Sequence, residues 1–262
     1  MKQFIYIRHG QRPGTQNDQV IKDAWESSER FKVNHFDEPL TEKGLQESYE
    51  TGKKLINHIQ DPNTFAYLYS SPYTRCIQTA IQIAKGFKEV SGKELKIRVE
   101  YGLAENINYG QGYLPKIDGG AISEDFFPSY FYKDILGNVK HNPFDDHLSY
   151  ESHKLNYPEH LDLHHQPLFG LEDINNCNLK KEFQMQIQTA KRIIDAPESG
   201  IVVSHGWMQS FYSQYVLLNR NHISPVEVDA LLQGSTELNF VVIYNQNPNG
   251  IWQRSLKPQR II

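Results

Sequence analysis

The segment Phe4-Ile5-Tyr6-Ile7-Arg8-His9-Gly10 begins as an unbroken apolar run and stops on an arginine, a histidine and a glycine. A short continuous run of this kind reads as a strand buried on both faces, as in a parallel sheet covered by helices. In open α/β sheets the edge where such strands end is where ligands bind. Reading on to Gln11-Arg12, two guanidiniums flank one imidazole, and Gly10 permits close approach to the backbone. The grouping suits a phosphate ester.

The pattern recurs along the chain. Residues 65–69 read as a second buried strand, ending at Ser70-Ser71-Pro72, where the proline can open a helix carrying Ile77, Ala80, Ile81, Ala84 and Phe87 on one face. Leu95, Ile97 and Val99 alternate with Lys96, Arg98 and Glu100, the period of a strand, which stops at Tyr101-Gly102. Ile201-Val202-Val203 is another apolar strand and leads into Ser204-His205-Gly206. Thr41 is placed to cap a helix bearing Leu45, Tyr49, Leu55 and Ile59, and Phe183, Ile187, Ala190 and Ile194 mark a later helix ending near Asp195-Ala196-Pro197. A further helix is expected from Gly206 to about residue 218, with final strands at 238–244 and 251–252.

Alternation of strands and helices predicts an α/β fold, a three-layer α/β/α sandwich around a mainly parallel central sheet. Residues 13–36 are polar and aperiodic and read as a long loop or short helix. From Asn106 to Asn178 periodicity vanishes in a stretch rich in Gly, Pro, Tyr, Phe and His. A structureless loop of that length is foreign to a compact domain, so residues 106–178 are expected to be an irregular insertion with its own short helices, lining the pocket of a single domain over 1–262.

Composition narrows the function. Hydrophobic residues make up 39% and aromatics 12%, enough for a sizeable core. The net charge of −4, from 27 basic and 31 acidic residues spread along the chain, offers no footprint for a nucleic-acid backbone. Only four apolar residues precede Arg8, too few for a signal-peptide core, and no run is long enough to span a bilayer. A cytoplasmic protein with no membrane partner is expected. Cys76 and Cys177 are the two cysteines, which rules out a disulfide framework, and Cys76 reads as a packed apolar residue at a helix start. Six of the eleven histidines fall between His141 and His165, but their spacing matches no structural zinc pattern, so neither a metal nor a cofactor is expected.

Four strand candidates are each followed by residues that can bind or transfer a phosphoryl group: Arg8 and His9, then Arg75, then Glu105, then His205. If the strands are parallel, all of these meet at one edge. Unrelated surface residues would be scattered over both edges.

With these residues in view, the chain resembles the histidine phosphatase superfamily, the phosphoglycerate mutase-like group. Arg8-His9-Gly10 resembles its signature, Asp37-Glu38-Pro39-Leu40-Thr41 through Gly44 its D-x-P-L-T-x-x-G segment, and residues 71–80 its S-P-x-x-R-x-x-Q-T-A helix start. Val203-Ser204-His205-Gly206 resembles the second histidine motif. Arg12, Gly102-Leu103-Ala104-Glu105 and Tyr113-Leu114-Pro115 are similar to the branch holding ecdysteroid-phosphate phosphatases and T-cell signalling tyrosine phosphatases. Gln11 departs from that branch, which has Glu there, and matches mutases. Gly206 departs from the acid phosphatases, which place Asp after the second histidine.

The resemblance implies a phosphomonoester hydrolase acting through a phosphohistidine on His9, on a phosphorylated small molecule or a phosphotyrosine. Arg8, Arg12 and Arg75 would fork onto non-bridging oxygens as lysine could not. Nearby guanidiniums favour the neutral, nucleophilic imidazole of His9. His205 would bind phosphate and stabilise charge developing on it, and Glu105 would serve as general acid and then base. The Tyr and Phe content of the insertion favours an aryl or apolar leaving group. A phosphoglycerate-type mutase, suggested by Gln11, and a non-catalytic phosphate-binding module are the alternatives. The resembling branch includes dimers, so a homodimer is expected by analogy. Asp37 and Glu38, adjacent and just before Pro39, read as a helix-initiating turn rather than an acid–base pair.

Overall fold

In the computed structural model, β1 (Gln3–Arg8) and β4 (Ser199–Ser204) lie parallel, with Phe4 opposite Gly200 and Arg8 opposite Ser204. The structure describes residues 1–15, 17–105, 146–175, 179–206 and 238–262. Most of the expected insertion, the helix expected after Gly206, and Cys177 fall outside these residues.

β2 (Phe65–Ser70) pairs in parallel with β4 on one side and with β3 (Lys96–Val99) on the other. Beyond β1 the sheet changes sense: β5 (Phe240–Gln246) is antiparallel to β1, and β6 (Trp252–Arg260) is antiparallel to β5. The order is β3-β2-β4-β1-β5-β6. The sheet is therefore mixed, four parallel strands with two antiparallel ones at an edge, where the sequence predicted a mainly parallel sheet. Apolar runs report burial and not pairing sense, which is why the difference was hidden. β6 also extends well beyond the expected 251–252, and Pro258 is tolerated there because an edge strand is paired on one side only.

Strand alternation divides the core between the two faces of the sheet. Ile5, Ile7, Ile201, Val203, Val241 and Ile243 join the cluster that includes Cys76, Ile77, Ala80 and Phe87 of α4 (Thr74–Ser91). Phe4 and Gly200 face the other way, and a Cβ added at Gly200 would meet Ile193 of α7 (Leu179–Asp195) at 3.4 Å. The sheet thus has helices on both faces, the layered α/β arrangement the sequence predicts.

α3 (Glu42–Leu55) begins at its Thr41 N-cap, which accepts the Gly44 N–H at 3.0 Å. Its buried face is made of Gly44, Ser48, Thr51, Gly52 and Leu55, while Leu45 and Tyr49 are only partly covered. The reason is close packing against α4. A Cβ at Gly52 would lie 2.3 Å from the Ile83 carbonyl oxygen, and one at Gly86 would lie 2.1 Å from that of Tyr49. Small residues let the two helix backbones touch, so α3 needs no wide apolar stripe. α4 ends at Gly92, whose φ of 71° is the left-handed cap that glycine adopts without strain.

Residues 13–36 hold two short helices, α1 (Gln19–Glu26), capped by Asp18, and α2 (Glu29–Asn34), capped by Ser28. The described parts of residues 106–178 hold α5 (Tyr150–Asn156) and α6 (Leu171–Asn175). Glu100, fully buried after β3, secures this region by accepting from His165 Nε2 at 3.0 Å and the Leu168 N–H at 3.0 Å, with Arg192 of α7 at 3.1 Å. Among the described residues, no helix is long and apolar enough to cross a membrane.

Candidate active site

Because β1, β2, β3 and β4 are parallel, their C-terminal ends open on one edge, and the residues that follow them converge. His9 continues β1, and its N–H donates to the Ser204 carbonyl at 2.9 Å. Its ring is 2% exposed. Nδ1 lies 2.9 Å from the Gly10 carbonyl oxygen, which can only accept, so Nδ1 carries the proton and Nε2 keeps its lone pair. Burial first, then Arg75, His205 and Arg8, hold this imidazole well below its usual value of 6.5. His9 is neutral at physiological pH with Nε2 available for attack.

The His205 ring stands 5.5 Å from that of His9, centroid to centroid, and packs edge-on against Tyr73 at 5.2 Å. Burial depresses His205 to about 4, against the pull of Glu105. Glu105 Oε1 is the meeting point of the cluster, 2.6 Å from Arg75 Nη2 and 3.2 Å from His205 Nδ1. Burial would raise the Glu105 carboxyl, but His205, Arg75 and His9 together hold it well below 4.5. Glu105 is an anion seated on Arg75.

Arg75, in the first turn of α4, is 2% exposed, donates from Nη1 to the Phe36 carbonyl at 3.0 Å and lies over the Tyr73 ring at 4.2 Å. The Arg8 guanidinium lies across Gly206, where an added Cβ would come within 3.1 Å of Cζ and press on it. The structure therefore brings Arg8, His9, Arg75, Glu105 and His205 to one edge. Arg12 is placed differently. It forms an ion pair with Glu38, which also accepts the Gly14 N–H. Arg12 acts on Arg8 through its charge, and an oxygen bound by it would share the guanidinium with Glu38.

Two further positions hold the site: Asp37, which opens the D-x-P-L-T-x-x-G segment but reads in the sequence as a turn, and Asn239, which lies in no motif. Asp37, fully buried, accepts the Thr74 N–H at 2.7 Å and the Thr74 hydroxyl, with Arg30 Nη2 at 3.0 Å and His147 Nε2 at 2.8 Å. It ties α2 and the insertion to the start of α4, one residue before Arg75. Burial would raise its carboxyl, but His147, Thr74 and Arg75 outweigh that and bring it below 3.8. Asn239, buried at a left-handed φ of 56°, donates its N–H to the His9 carbonyl at 3.3 Å and accepts from the Ser48 hydroxyl at 3.1 Å. Asparagine is among the few residues that adopt this backbone readily.

Asp37→Asn is expected to lower stability at pH 7 by about 2–3 kcal/mol, the scale for disrupting a buried charged hydrogen-bond network. The native carboxyl titrates below its unfolded value, so its contribution is present above that value and lost as pH falls through the native one. Urea unfolding of both proteins at pH 7 and pH 3 should show the gap closing at acid pH. A gap independent of pH would mean the charge of Asp37 does not act.

Two of the histidines between residues 141 and 165 are engaged singly, His147 on Asp37 and His165 on Glu100. Among the described residues, no group of three or more His, Cys, Asp or Glu is arranged to hold a metal ion. His141 and Asp145 lie outside them.

Residues 4–112 match the family model of the histidine phosphatase superfamily, branch 1. The match spans Arg8, His9, Arg75 and Glu105 and stops before His205. No curated protein matches the sequence. The ecdysone phosphate phosphatase of Bombix mori, solved in complex with tungstate, is 16% identical, with 100% of this chain and 95% of that one covered and a TM-score of 0.60. A mutant phosphoserine phosphatase of Entamoeba histolytica, in complex with phosphoserine, is 13% identical, with 100% of both chains covered and a TM-score of 0.45. The first likeness is one of fold and extends through the second half of the chain, which includes β4, the strand that precedes His205.

Proposed function

We propose that this chain is a phosphomonoester hydrolase that forms a phosphohistidine on His9. The observation that carries the reading is the buried, neutral His9 with Nδ1 tied to the Gly10 carbonyl, at a sheet edge shared with Arg8, Arg75, His205 and Glu105. A phosphate monoester repels nucleophiles until its charge is matched, and Arg8 and Arg75 supply planar donors for two-point contacts, with Arg12 behind them. Nε2 of His9 attacks phosphorus and the ester oxygen departs. His205 donates from Nδ1 to an equatorial oxygen as charge develops there.

Glu105 is the proton donor in this scheme. A phosphate dianion entering the pocket takes over the Arg75 and His205 contacts and repels the carboxylate, so the carboxyl gains a proton as substrate binds. It protonates the leaving oxygen, then as carboxylate deprotonates the water that hydrolyses phosphohistidine. An aryl or apolar leaving group is proposed from the aromatic composition of the insertion. The mutase alternative rested on Gln11, whose amide oxygen accepts from the Thr41 hydroxyl at the start of α3, at 3.1 Å.

The test is a panel of aryl, steroid, sugar and peptide phosphates, with each reaction quenched and assayed for acid-labile phosphate on His9. Labelled His9 and inorganic phosphate from the aryl or steroid esters is the expected result. Phosphate moved to a second hydroxyl would make the chain a mutase, and phosphate bound without release from any ester would make it a binding module.

A further inference from the structure

Ser71 follows β2 and is fully buried, its N–H donating to the Val203 carbonyl at 3.0 Å and its own carbonyl accepting from the Ser70 hydroxyl at 2.9 Å. These bonds fix its backbone against β4. Its hydroxyl oxygen lies 2.9 Å from Nε2 of His205, on the far side of that ring from Glu105. The other group near Nε2 is the Cys76 sulfur, at 3.6 Å. Burial pushes the Cys76 thiol up to about 12, so it stays protonated, and a thiol is a weak donor.

The tautomer of His205 follows from its neighbours. Nδ1 faces the ionised Glu105, and Arg75 Nη2, 3.4 Å away, converges with it on the same carboxylate oxygen. The acceptor-only carboxylate, nearer to Nδ1 than Arg75 is, assigns the proton to Nδ1, which leaves Nε2 as the lone pair that accepts from Ser71. The Tyr6 hydroxyl donates to the His205 carbonyl and Tyr73 abuts the ring, so backbone and ring plane are held as well. With the proton on Nε2 instead, a lone pair on Nδ1 would face the oxygens of a phosphate, where donation is needed. The Ser71 hydroxyl, donating to Nε2, favours the tautomer that avoids this.

We propose that Ser71 is a positioning residue of the site: its hydroxyl donates to Nε2 of His205 and keeps Nδ1–H aimed into the pocket. The role rests on the phosphatase reading above, since it assumes that His205 donates to a phosphoryl oxygen. Ser71 touches no substrate and acts through His205.

The experiment compares the full chain with Ser71→Ala and Ser71→Thr, each also in a His205→Asn background, by kinetics on an aryl phosphate and by nitrogen NMR of labelled histidine. In the parent, His205 should show a protonated Nδ1 and an unprotonated Nε2. Ser71→Ala should mix the tautomers and lower kcat about 10-fold with little change in KM, the size of one lost buried hydrogen bond. Ser71→Thr, which keeps the hydroxyl, should restore the single tautomer and most of kcat. With Asn at position 205, Ser71→Ala should cost less than about 2-fold, because coupled residues are not additive. An unchanged tautomer and kcat in Ser71→Ala, or an equal loss with Asn at 205, would overturn the proposal. If Ser71→Ala does not fold, Ser71→Cys, with its weak donor, should fall between parent and loss, and parent-like behaviour counts against the role. The NMR result stands whether or not phosphohistidine forms, so failure of the phosphatase reading is seen separately.

Discussion

His9→Ala is expected to abolish turnover of a generic aryl phosphate, by about 10³-fold or more, the scale on which enzymes lose rate with their nucleophile. The variant should still bind inorganic phosphate, because Arg8, Arg75 and His205 reach the edge from β1, α4 and the end of β4 independently of the His9 ring. The pocket should remain, since the backbone bonds of residue 9, from its N–H to Ser204 and to its carbonyl from Asn239, do not use the side chain. Steady-state rates, phosphate binding by calorimetry and a quench for acid-labile phosphate check the three parts. Most activity persisting would remove His9 as nucleophile. Loss of phosphate binding along with activity would show that the substitution had damaged the pocket.

The legible part of the sequence follows from how parallel strands advertise themselves. β1, β2 and β4 are apolar runs that end in a polar or reactive residue, so Arg8, His9 and His205 could be placed at a sheet edge, with Arg75 one turn into the helix after β2. The edge location of Glu105 came from the alternation in β3 and the stop at Tyr101-Gly102. Pairing sense could not be read the same way. Val241 and Ile243 are as buried in an antiparallel strand as Ile201 and Val203 are in a parallel one.

The supporting residues were hidden for a different reason. Asp37 looks like a turn former because it precedes Glu38-Pro39, and its work is done on Thr74, Arg30 and His147, all distant in sequence or on other elements. Gly52 and Gly86 look like weak helix positions, yet they are what allows α3 and α4 to touch and so holds Gly44 behind the Gln11 backbone, where a Cβ would meet the Gln11 carbonyl oxygen at 2.3 Å. The ion pair of Arg12 with Glu38 depends on the path of the chain between them, which neither residue's own motif reveals. Period and motif describe one element at a time, whereas these residues act between elements.

Glu105→Gln is expected to separate leaving groups. Glutamine keeps the shape and accepts from Arg75 but supplies no proton, so esters of poorly acidic alcohols should lose about 10²–10⁴-fold in kcat/KM, the range for removing a general acid. A nitrophenyl ester, whose leaving oxygen needs no proton, should lose much less in the first step. It should then show a burst with accumulated phosphohistidine, because no carboxylate remains to activate water. The same substitution changes the proton balance of binding. In the parent the carboxyl sits well below 4.5 when the pocket is empty, held there by His205, Arg75 and His9, and a bound dianion reverses that field. Phosphate binding between pH 6 and 7 should therefore take up a proton beyond the phosphate's own, measurable as a heat that varies with the ionisation enthalpy of the buffer. Glu105→Gln should abolish that uptake and bind the dianion more tightly, since the anion no longer has to displace a carboxylate from Arg75. Equal losses for all leaving groups would remove Glu105 as the acid, and unchanged proton uptake in Glu105→Gln would place the proton on another group of the site.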